Sequence, residues 1–207
     1  MPDKLPAEHH SIADWDFERG AEYRSLADDF FISAPTSLKF SGAPAPFGGV
    51  VLCRIPATLV LPQGEIRNWK RATRISSSVA NFRNQKPLGD ADSQNCYYLA
   101  TLETTIKLHR FVAGVHTLLD STLCPDVIDT WIHYSIIWYN GFTPGSAAAL
   151  CVDVYLEIAG EWVKQGDTMY DTDNLWKDSA INRVGFRPGV WAGTSEWWDN
   201  TEIWGPV

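Results

Sequence analysis

A chain of 207 residues, 45% of them hydrophobic and 20% charged, can bury a sizeable core, so the composition excludes a disordered protein. Its 25 acidic residues outnumber 17 basic residues, giving a net charge of −8, and no basic run offsets them. We therefore expect neither a nucleic-acid partner nor an anionic-membrane surface. The sequence also has no run approaching the roughly 20 apolar residues of a membrane span.

The first 13 residues are predicted to form an arm that precedes a single domain covering residues 14–207. The arm carries Pro2, Pro6 and the pair His9-His10 with little periodicity, so we expect it either to be disordered or to dock onto a neighbouring subunit. It contains no apolar signal segment. We therefore expect cytoplasmic synthesis, after which the protein stays in the cell or leaves by another route, such as lysis or incorporation into a virion.

Alternating apolar and polar residues predict a series of short strands along the domain. In chain order they cover residues 29–33, 38–40, 50–55, 67–75, 95–103, 105–111, 115–119, 131–139, 150–158, 181–187 and 196–204. The strand at 67–75 is polar on both sides, which predicts an edge strand protected by charge. Residues 81–94 form the longest irregular stretch, which indicates either a functional loop or an insertion.

The clearest alternation is LCVDVYLEI, residues 150–158, in which the even-numbered side chains are all apolar. Such a pattern is typical of a strand with one side in a core and the other toward water. Ala159-Gly160 then predicts a tight turn into a return strand. About ten to twelve strands of this kind, with almost no helical periodicity, predict an all-β fold built as a two-sheet antiparallel sandwich.

The four cysteines do not form a CxxC pair, so neither zinc binding nor thioredoxin chemistry is supported. Cys53, Cys96 and Cys151 each fall inside a predicted strand, where a buried free thiol acts as a small hydrophobic residue. Cys124 precedes a proline at a turn. Because the sequence lacks a secretory signal, free thiols are favoured over disulfides.

Several short motifs occur in an order that resembles the concanavalin A-like lectin/glucanase superfamily, especially its laminin-G-like and carbohydrate-binding branches. They are Asp16-Phe17-Glu18, residues 37–42 (SLKFSG), 95–99 (NCYYL), 107–111 (KLHRF), 129–134 (DTWIHY), the strand 150–158, Gly185-Phe186, and 197–203 (WWDNTEI). The resemblance covers the chain from Asp14 to Trp204. It implies a concanavalin A-like jelly-roll sandwich, a scaffold that carries lectins, lyases, glycosidases and structural modules.

The resemblance also implies a structural calcium ion. Members of the superfamily often hold one with an acidic residue near the first strand, backbone carbonyls and an aspartate near the last strand. Asp16 or Glu18 and Asp199 match those positions. Two carboxylates and carbonyl oxygens suit this hard cation. The alternative is that the three side chains are solvated acids at strand ends.

A set of aromatic and imidazole side chains is predicted to lie on an outer face. If the even-numbered residues of 131–139 face the core, His133 and Tyr139 face outward, as does Tyr155 on a following strand. The same alternation directs Tyr97 and His109 outward on the hairpin, and Trp197-Trp198 places one indole on each side of the last strand. The candidate ligand-binding residues are Tyr97, His109, His133, Tyr139, Tyr155 and Trp197. The alternative is an ordinary solvent-facing surface.

Paired catalytic carboxylates are not visible in the sequence. Asp153 and Glu157 are four residues apart on one strand, so their Cα atoms are about 13 Å apart, which is long for a glycosidase pair. The ten tryptophans exceed what a core needs and suit sugar stacking or an interface. We therefore expect a non-catalytic lectin-like module that binds a glycan or a protein partner, or serves in a homo-oligomer or a virion. The alternative is a polysaccharide lyase or glycoside hydrolase of the same fold.

Overall fold

The computed structural model describes residues 4–5, 16–19, 24–32, 37–41, 49–50, 52–54, 61–74, 77–85, 95–102, 104–125, 127–186, 189–190 and 193–205. Every regular element within these ranges is a β-strand. In the same ranges there is no helix of the length and hydropathy needed to cross a membrane.

The described residues form eighteen strands. The first nine are β1 (Lys4–Leu5), β2 (Asp16–Arg19), β3 (Arg24–Ala27), β4 (Ser37–Ser41), β5 (Gly49–Val50), β6 (Leu52–Arg54), β7 (Gly64–Ala72), β8 (Ser77–Asn84) and β9 (Cys96–Leu102). The remaining nine are β10 (Thr105–Val112), β11 (Val115–Leu123), β12 (Ile132–Phe142), β13 (Ala148–Ile158), β14 (Glu161–Lys164), β15 (Met169–Asp171), β16 (Arg183–Phe186), β17 (Gly189–Val190) and β18 (Ser195–Trp204).

Two antiparallel sheets account for most of these strands. The nine-stranded sheet has the order β14-β13-β12-β7-β18-β4-β3, with β1 also paired to β18 and β15 also paired to β13. The seven-stranded sheet has the order β11-β10-β9-β8-β16-β6-β2, and β5 pairs with β17 separately. This confirms the two-sheet antiparallel sandwich predicted from strand periodicity.

The core lies between the two sheets and is rich in aromatic rings. Tyr134, Ile136 and Trp138 of β12 are fully buried, as the alternation predicts. Trp138 stacks on Phe82 of the opposite sheet, with ring centroids 5.2 Å apart. Each such side chain contributes about 1.5–3 kcal/mol when it is removed from water. The contacts between the two sheets hold β12 in place and direct its odd-numbered side chains outward.

Strand β7 is a central strand, so the prediction of an edge strand at 67–75 was wrong. It lies between β12 and β18, with Ile136 opposite Ile66 on one side and Trp198 opposite Lys70 on the other. The pattern misled because Asn68 and Lys70 are polar yet face the interior, where both are buried. The amine of Lys70 is 3.5 Å from the hydroxyl of Thr101 on the other sheet.

Three other local predictions also need correction. Residues 28–32 form no strand after β3, and residues 50 and 52–54 belong to two strands, β5 and β6, rather than to one strand at 50–55. Residues 33, 51 and 55 lie outside the described part. Residues 81–84 belong to β8, so the irregular stretch is shorter than predicted. Residues 86–94 lie outside the described part of the chain.

The chain termini meet in the nine-stranded sheet. Lys4 pairs with Trp204 and Leu5 with Ile203, so part of the predicted arm adds to the last strand of its own chain. The division into an arm at 1–13 and a domain at 14–207 remains a prediction. Cys96, Cys124 and Cys151 are buried free thiols, as expected for small hydrophobic residues; the side chain of Cys53 lies outside the described part.

Candidate functional site

An open pocket of about 390 Å³ lies on the outer face of the nine-stranded sheet. Its lining side chains come from five neighbouring strands, β14, β13, β12, β7 and β18. They are Arg67, Trp69, His133, Glu157, Trp162, Asn200, Thr201 and Glu202. Because side chains alternate along a strand, burial of Asn68 and Tyr134 in the core directs Trp69 and His133 to this outer face.

Three aromatic rings form a row along the pocket. Trp69 and His133 are nearly parallel, with ring centroids 4.4 Å apart and an interplanar angle of 16°. On the other side of His133, Trp162 lies 4.6 Å away at an angle of 57°. The row places apolar ring surface beside hydrogen-bonding groups, which is the combination that small-molecule sites use.

The guanidinium of Arg67 is fixed in place at one side of this row. It lies over the rings of Trp162 and Trp204, at 5.3 and 5.1 Å from the centroids. Its Nε donates a 2.5 Å hydrogen bond to Oε1 of Glu65, and the hydroxyl of Ser135 donates to the same oxygen at 2.6 Å. Because its partners constrain it, Arg67 can contact a ligand without a large loss of side-chain entropy.

His133 and Glu157 form a hydrogen-bonded pair inside the pocket, with Nδ1 2.5 Å from Oε2. A carboxylate only accepts hydrogen bonds, so Nδ1 carries the proton of the neutral ring and Nε2 carries the lone pair. Burial lowers the pKa of His133 below its ordinary 6.5, although Glu157 acts in the opposite direction. At neutral pH the ring is therefore an uncharged group with Nε2 as an acceptor.

A β-bulge shapes the far side of the pocket. Asp199 pairs with Trp69 and Glu202 with Arg67, so Asn200 and Thr201 together face a single residue of β7. Asn200 has a φ of +45°, a left-handed conformation that asparagine tolerates better than most residues. Bulges re-aim side chains, and here both residues of the bulge line the pocket.

The lining has a slight excess of negative charge. Glu157 and Glu202 supply two carboxylates, and Arg67 supplies one guanidinium that is already paired with Glu65. With His133 neutral, an anionic ligand would meet repulsion here. Uncharged hydroxyl groups, in contrast, can donate to the carboxylates and accept from Arg67 and Asn200.

Four of the predicted ligand-binding residues belong to this same outer face: His133, Tyr139, Tyr155 and also Trp197, which pairs with Arg71 of β7. His133 lines the pocket, while Tyr139 and Tyr155 lie farther along β12 and β13. Tyr139 donates a 3.2 Å hydrogen bond to Asp153, which also accepts from Thr168 at 2.6 Å. Burial and the charge of Asp153 raise the pKa of Tyr139 to about 12. The phenol is thus a hydrogen-bonding group rather than an acid at neutral pH.

Tyr97 is fully buried, so the expectation that it faces outward was wrong. It packs in the core near Phe82, donates a 2.5 Å hydrogen bond to Asp171 and accepts one of 2.9 Å from the backbone N–H of Leu175. Burial and Asp171 raise the pKa of this phenol. The sequence misled because β9, CYYLATL, has large or apolar residues on both faces and its periodicity is ambiguous.

His109 and Trp197 lie away from the pocket. His109 is on the seven-stranded sheet, stacked on Tyr98 with ring centroids 4.7 Å apart. Trp197 is only 4% exposed. Phe30 packs on it edge-on at 5.1 Å, and Asp29 accepts a 2.9 Å hydrogen bond from its indole N–H. The predicted set therefore falls on two sheets and does not form one surface.

The expected calcium site is not tested by the described residues. Both carboxylate oxygens of Asp199 accept backbone hydrogen bonds of 2.7 Å, from the N–H groups of Ile32 and Asn200. Asp16 and Glu18 lie on β2, in the opposite sheet, and their side chains are outside the described part. The described residues contain no group of three His, Cys, Asp or Glu arranged to hold a metal ion. Calcium binding therefore stays a prediction.

Sequence reasoning missed most of the pocket lining. Arg67 and Trp69 alternate with Asn68 along their strand, but nothing in the sequence shows that they face the same way as His133. Trp162 was recognised only as part of a return strand after a glycine turn. The bulge at 200–201 leaves no periodic signal, because it interrupts the alternation that would reveal it.

Comparison with protein-family models finds no match to this chain, and comparison with curated proteins finds no relative. Solved structures do share its fold. One is a marine PL-14 alginate lyase from Aplysia kurodai, with a TM-score of 0.58 and 13% identity over 90% of this chain and 88% of the lyase. Another is a legume lectin-like domain from Entamoeba histolytica, with a TM-score of 0.54 and 8% identity over 95% and 92% of the two chains.

A third similar structure is a GH43 glycoside hydrolase with an engineered active site, at a TM-score of 0.57 and 12% identity. The alignment covers 98% of this chain and 40% of the hydrolase. Likeness at this level of identity shows the fold alone. The chain therefore has the two-sheet β-sandwich fold that lectin-like and carbohydrate-active proteins share.

Proposed function

We propose that this protein binds a glycan, with one sugar ring seated in the pocket beside Trp69, His133 and Trp162. The observation that carries the proposal is the aromatic row next to Arg67, Glu157 and Asn200 in an open pocket. Indole faces pack against the C–H groups of a sugar ring, while its hydroxyl groups need hydrogen-bonding partners at the rim. Similarity in fold to lectin-like and carbohydrate-active proteins supports this choice of ligand.

The charge of the pocket points to a neutral sugar. A uronate would bring a carboxylate close to Glu157 and Glu202, and the one cation in the lining, Arg67, already pairs with Glu65. Bringing like charges together in a partly desolvated site raises the free energy of binding by roughly several kcal/mol. Neutral hexoses and pentoses avoid this repulsion and match the donors and acceptors present.

Calorimetric titration with matched neutral and uronate oligosaccharides tests the proposal. We expect binding of one or more neutral series and weaker binding of the uronate series at the same chain length. Glu202→Gln should narrow that difference, because it removes one of the two repelling carboxylates. Phe142→Ala is a matched control, since Phe142 is 69% exposed at the end of the strand that carries His133. Absence of binding across a broad glycan panel would contradict the proposal.

A second candidate function rests on the pair formed by His133 and Glu157. A neutral histidine that is oriented by a carboxylate and has a free Nε2 lone pair is the arrangement of a general base. In a polysaccharide lyase such a base removes the proton next to a uronate carboxylate. The negative charge of the pocket favours binding over this chemistry, because a lyase must neutralise the substrate carboxylate.

Incubation with uronate and neutral polysaccharides separates the two functions. A rise in ultraviolet absorbance from an unsaturated product, lost in His133→Gln, would establish a lyase. New reducing ends without that rise would establish a hydrolase. We expect neither product.

Assembly of this protein with copies of itself or into a larger particle is a prediction made from the sequence alone. Self-association, including incorporation into a virion, follows from the arm and is supported by no feature of the described residues. Sedimentation or light scattering of the full chain checks it: a monomer over a wide range of concentration would contradict it.

A further inference from the structure

A second cluster of nitrogen and oxygen donors lies on the outer face of the seven-stranded sheet. Tyr98 of β9, His109 of β10 and His116 of β11 come from three adjacent strands. A bulge between Leu108 and His109 sets the register of the last two strands, with Phe111 opposite His116 and His109 opposite Leu118. His109 and His116 are therefore diagonal neighbours, which brings their rings together on one face.

Three donor atoms converge in this cluster. Nδ1 of His109 is 2.7 Å from Nε2 of His116, and the hydroxyl of Tyr98 is 2.9 Å from that same Nε2. The two imidazole centroids are 4.6 Å apart. Each contact alone is an ordinary hydrogen bond. Because both contacts share Nε2 of His116, they bring two imidazole nitrogens and one phenol oxygen close to one another.

These distances match the edges of a metal coordination polyhedron. Two donors held at about 2.0–2.1 Å from one ion are about 2.8–3.0 Å apart when they subtend a right angle, and about 3.3–3.4 Å apart at the tetrahedral angle. The observed separations of 2.7 and 2.9 Å are closer to the right-angle value than to the tetrahedral one. Right angles are typical of tetragonal Cu(II) and Ni(II), whereas Zn²⁺ in proteins prefers the tetrahedral angle.

The surroundings give the cluster both support and access. Tyr98 stacks on His109 at 4.7 Å, and Phe111 lies 5.2 Å from His116, so the rings hold one another in place. His109 is 8% exposed, while His116 is on the exposed side of the edge strand β11. An ion can enter from solvent on the His116 side, and water can complete its coordination.

We propose that Tyr98, His109 and His116 bind a divalent transition-metal ion, with Cu²⁺ preferred. No carboxylate or thiol completes a three-residue group with the two histidines among the described residues, so the ligands are two imidazoles and one phenol. Imidazole suits copper and nickel, and copper forms the most stable complexes of the divalent first-row ions. The site is separate from the sugar pocket, which lies on the other sheet.

Titration of the full, untagged chain with Cu²⁺ alone tests this proposal by calorimetry and by visible absorption. We expect one Cu²⁺ bound per chain; the Tyr98 phenol releases its proton to solvent on binding, and a phenolate-to-copper charge-transfer band appears. Loss of a partner outside the first coordination sphere costs about 10–100-fold in metal affinity. His116→Gln removes a ligand outright and should weaken binding by at least about tenfold.

Tyr98→Phe separates coordination by the phenol from simple packing. It keeps the aromatic ring, so the fold is retained, and it should remove the charge-transfer band while part of the affinity remains. The double variant His9→Gln/His10→Gln is the control, because it removes the two histidines that are adjacent in the sequence and leaves His109 and His116 in place. Equal Cu²⁺ affinity in the parent chain and in His116→Gln, or loss of binding in the His9/His10 control, would overturn the proposal.

Discussion

The imidazole of His133 lies almost parallel to the indole of Trp69, with centroids 4.4 Å apart and planes 16° from parallel. The two residues come from neighbouring strands, β12 and β7, and are paired directly across the sheet. The same imidazole donates a hydrogen bond to Glu157, which lies on β13, the neighbouring strand on the other side of β12. His133 thus joins an aromatic platform to a carboxylate, and its charge state affects both contacts.

Acidification should destabilise the protein through His133. Its pKa is below 6.5 in the folded state because of burial, and it returns to about 6.5 in the unfolded chain. Between these two values the unfolded chain binds more protons, so the free energy of unfolding falls as the pH decreases below about 6.5. Above that pH this contribution is fully present.

Urea unfolding of the parent chain and of His133→Gln, between pH 8 and pH 5, measures this effect. The free energy of unfolding of the parent should exceed that of the variant by the largest amount at pH 8, and the difference should decrease toward pH 5. Comparison with the variant isolates His133 from the other histidines. An advantage that is constant, or that grows on acidification, would show that the assignment of His133 as a neutral buried ring is wrong.

Tyr97→Phe should destabilise the fold without affecting sugar binding. The variant leaves the backbone N–H of Leu175 without its acceptor and Asp171 without one of its donors. The free energy of unfolding should decrease by about 1–3 kcal/mol. Tyr155→Phe, on the outer face, should change it by less than about 0.5 kcal/mol. If Tyr97→Phe instead lowered the glycan affinity and left the free energy of unfolding unchanged, Tyr97 would belong to the binding site.

Arg83 of β8 connects residues 174–175 to both sheets through hydrogen bonds. It is fully buried and donates to the carbonyl of Pro62, to the side chains of Asn140 and Asn174, and to the carbonyl of Leu175. Arg83→Met should cost at least about 3 kcal/mol, because several buried acceptors lose their donor. Lys177→Met, at a side chain that is 55% exposed, is the matched control and should be near neutral in denaturant unfolding.

The bulge at Asn200 allows backbone and side-chain effects to be separated. Asn200→Gly keeps the left-handed φ of +45° available and should preserve stability while weakening glycan binding, because the amide is lost from the pocket. Asn200→Val should also lose about 1–2 kcal/mol of stability, since a β-branched residue is strained there. Equal glycan affinity of the parent and Asn200→Gly would exclude the side chain from recognition.

The sequence was sufficient for the sandwich because its longest strands carry an unbroken series of apolar or aromatic side chains on one face. The even-numbered side chains at 132–138 in β12 and at 150–158 in β13 are all apolar or aromatic, so their direction can be read from periodicity alone. The same rule placed His133, Tyr139 and Tyr155 on one outer face. It failed where both faces of a strand resemble each other, as in β7 with its buried Lys70 and in β9 with Tyr97.

The site needed information that periodicity does not contain. Trp69, Trp162 and Glu202 become neighbours of His133 only through the order in which strands pair, and that order depends on contacts across the whole sheet. Strands β7 and β12 are separated by about sixty residues of chain that forms the other sheet. Local patterns predict which way a side chain points, but not which strand lies beside it.

The affinity of Trp69→Ala and Trp162→Ala for a neutral oligosaccharide that binds the parent chain tests the central claim most directly. Each variant removes one ring from the row beside His133 and should weaken binding at least about tenfold, or ~1.4 kcal/mol, in calorimetric titration. Circular dichroism should show an unchanged β fold in both variants, and Phe142→Ala should bind like the parent. Parent-like affinity in both tryptophan variants would contradict the account, because it would place the sugar outside this pocket.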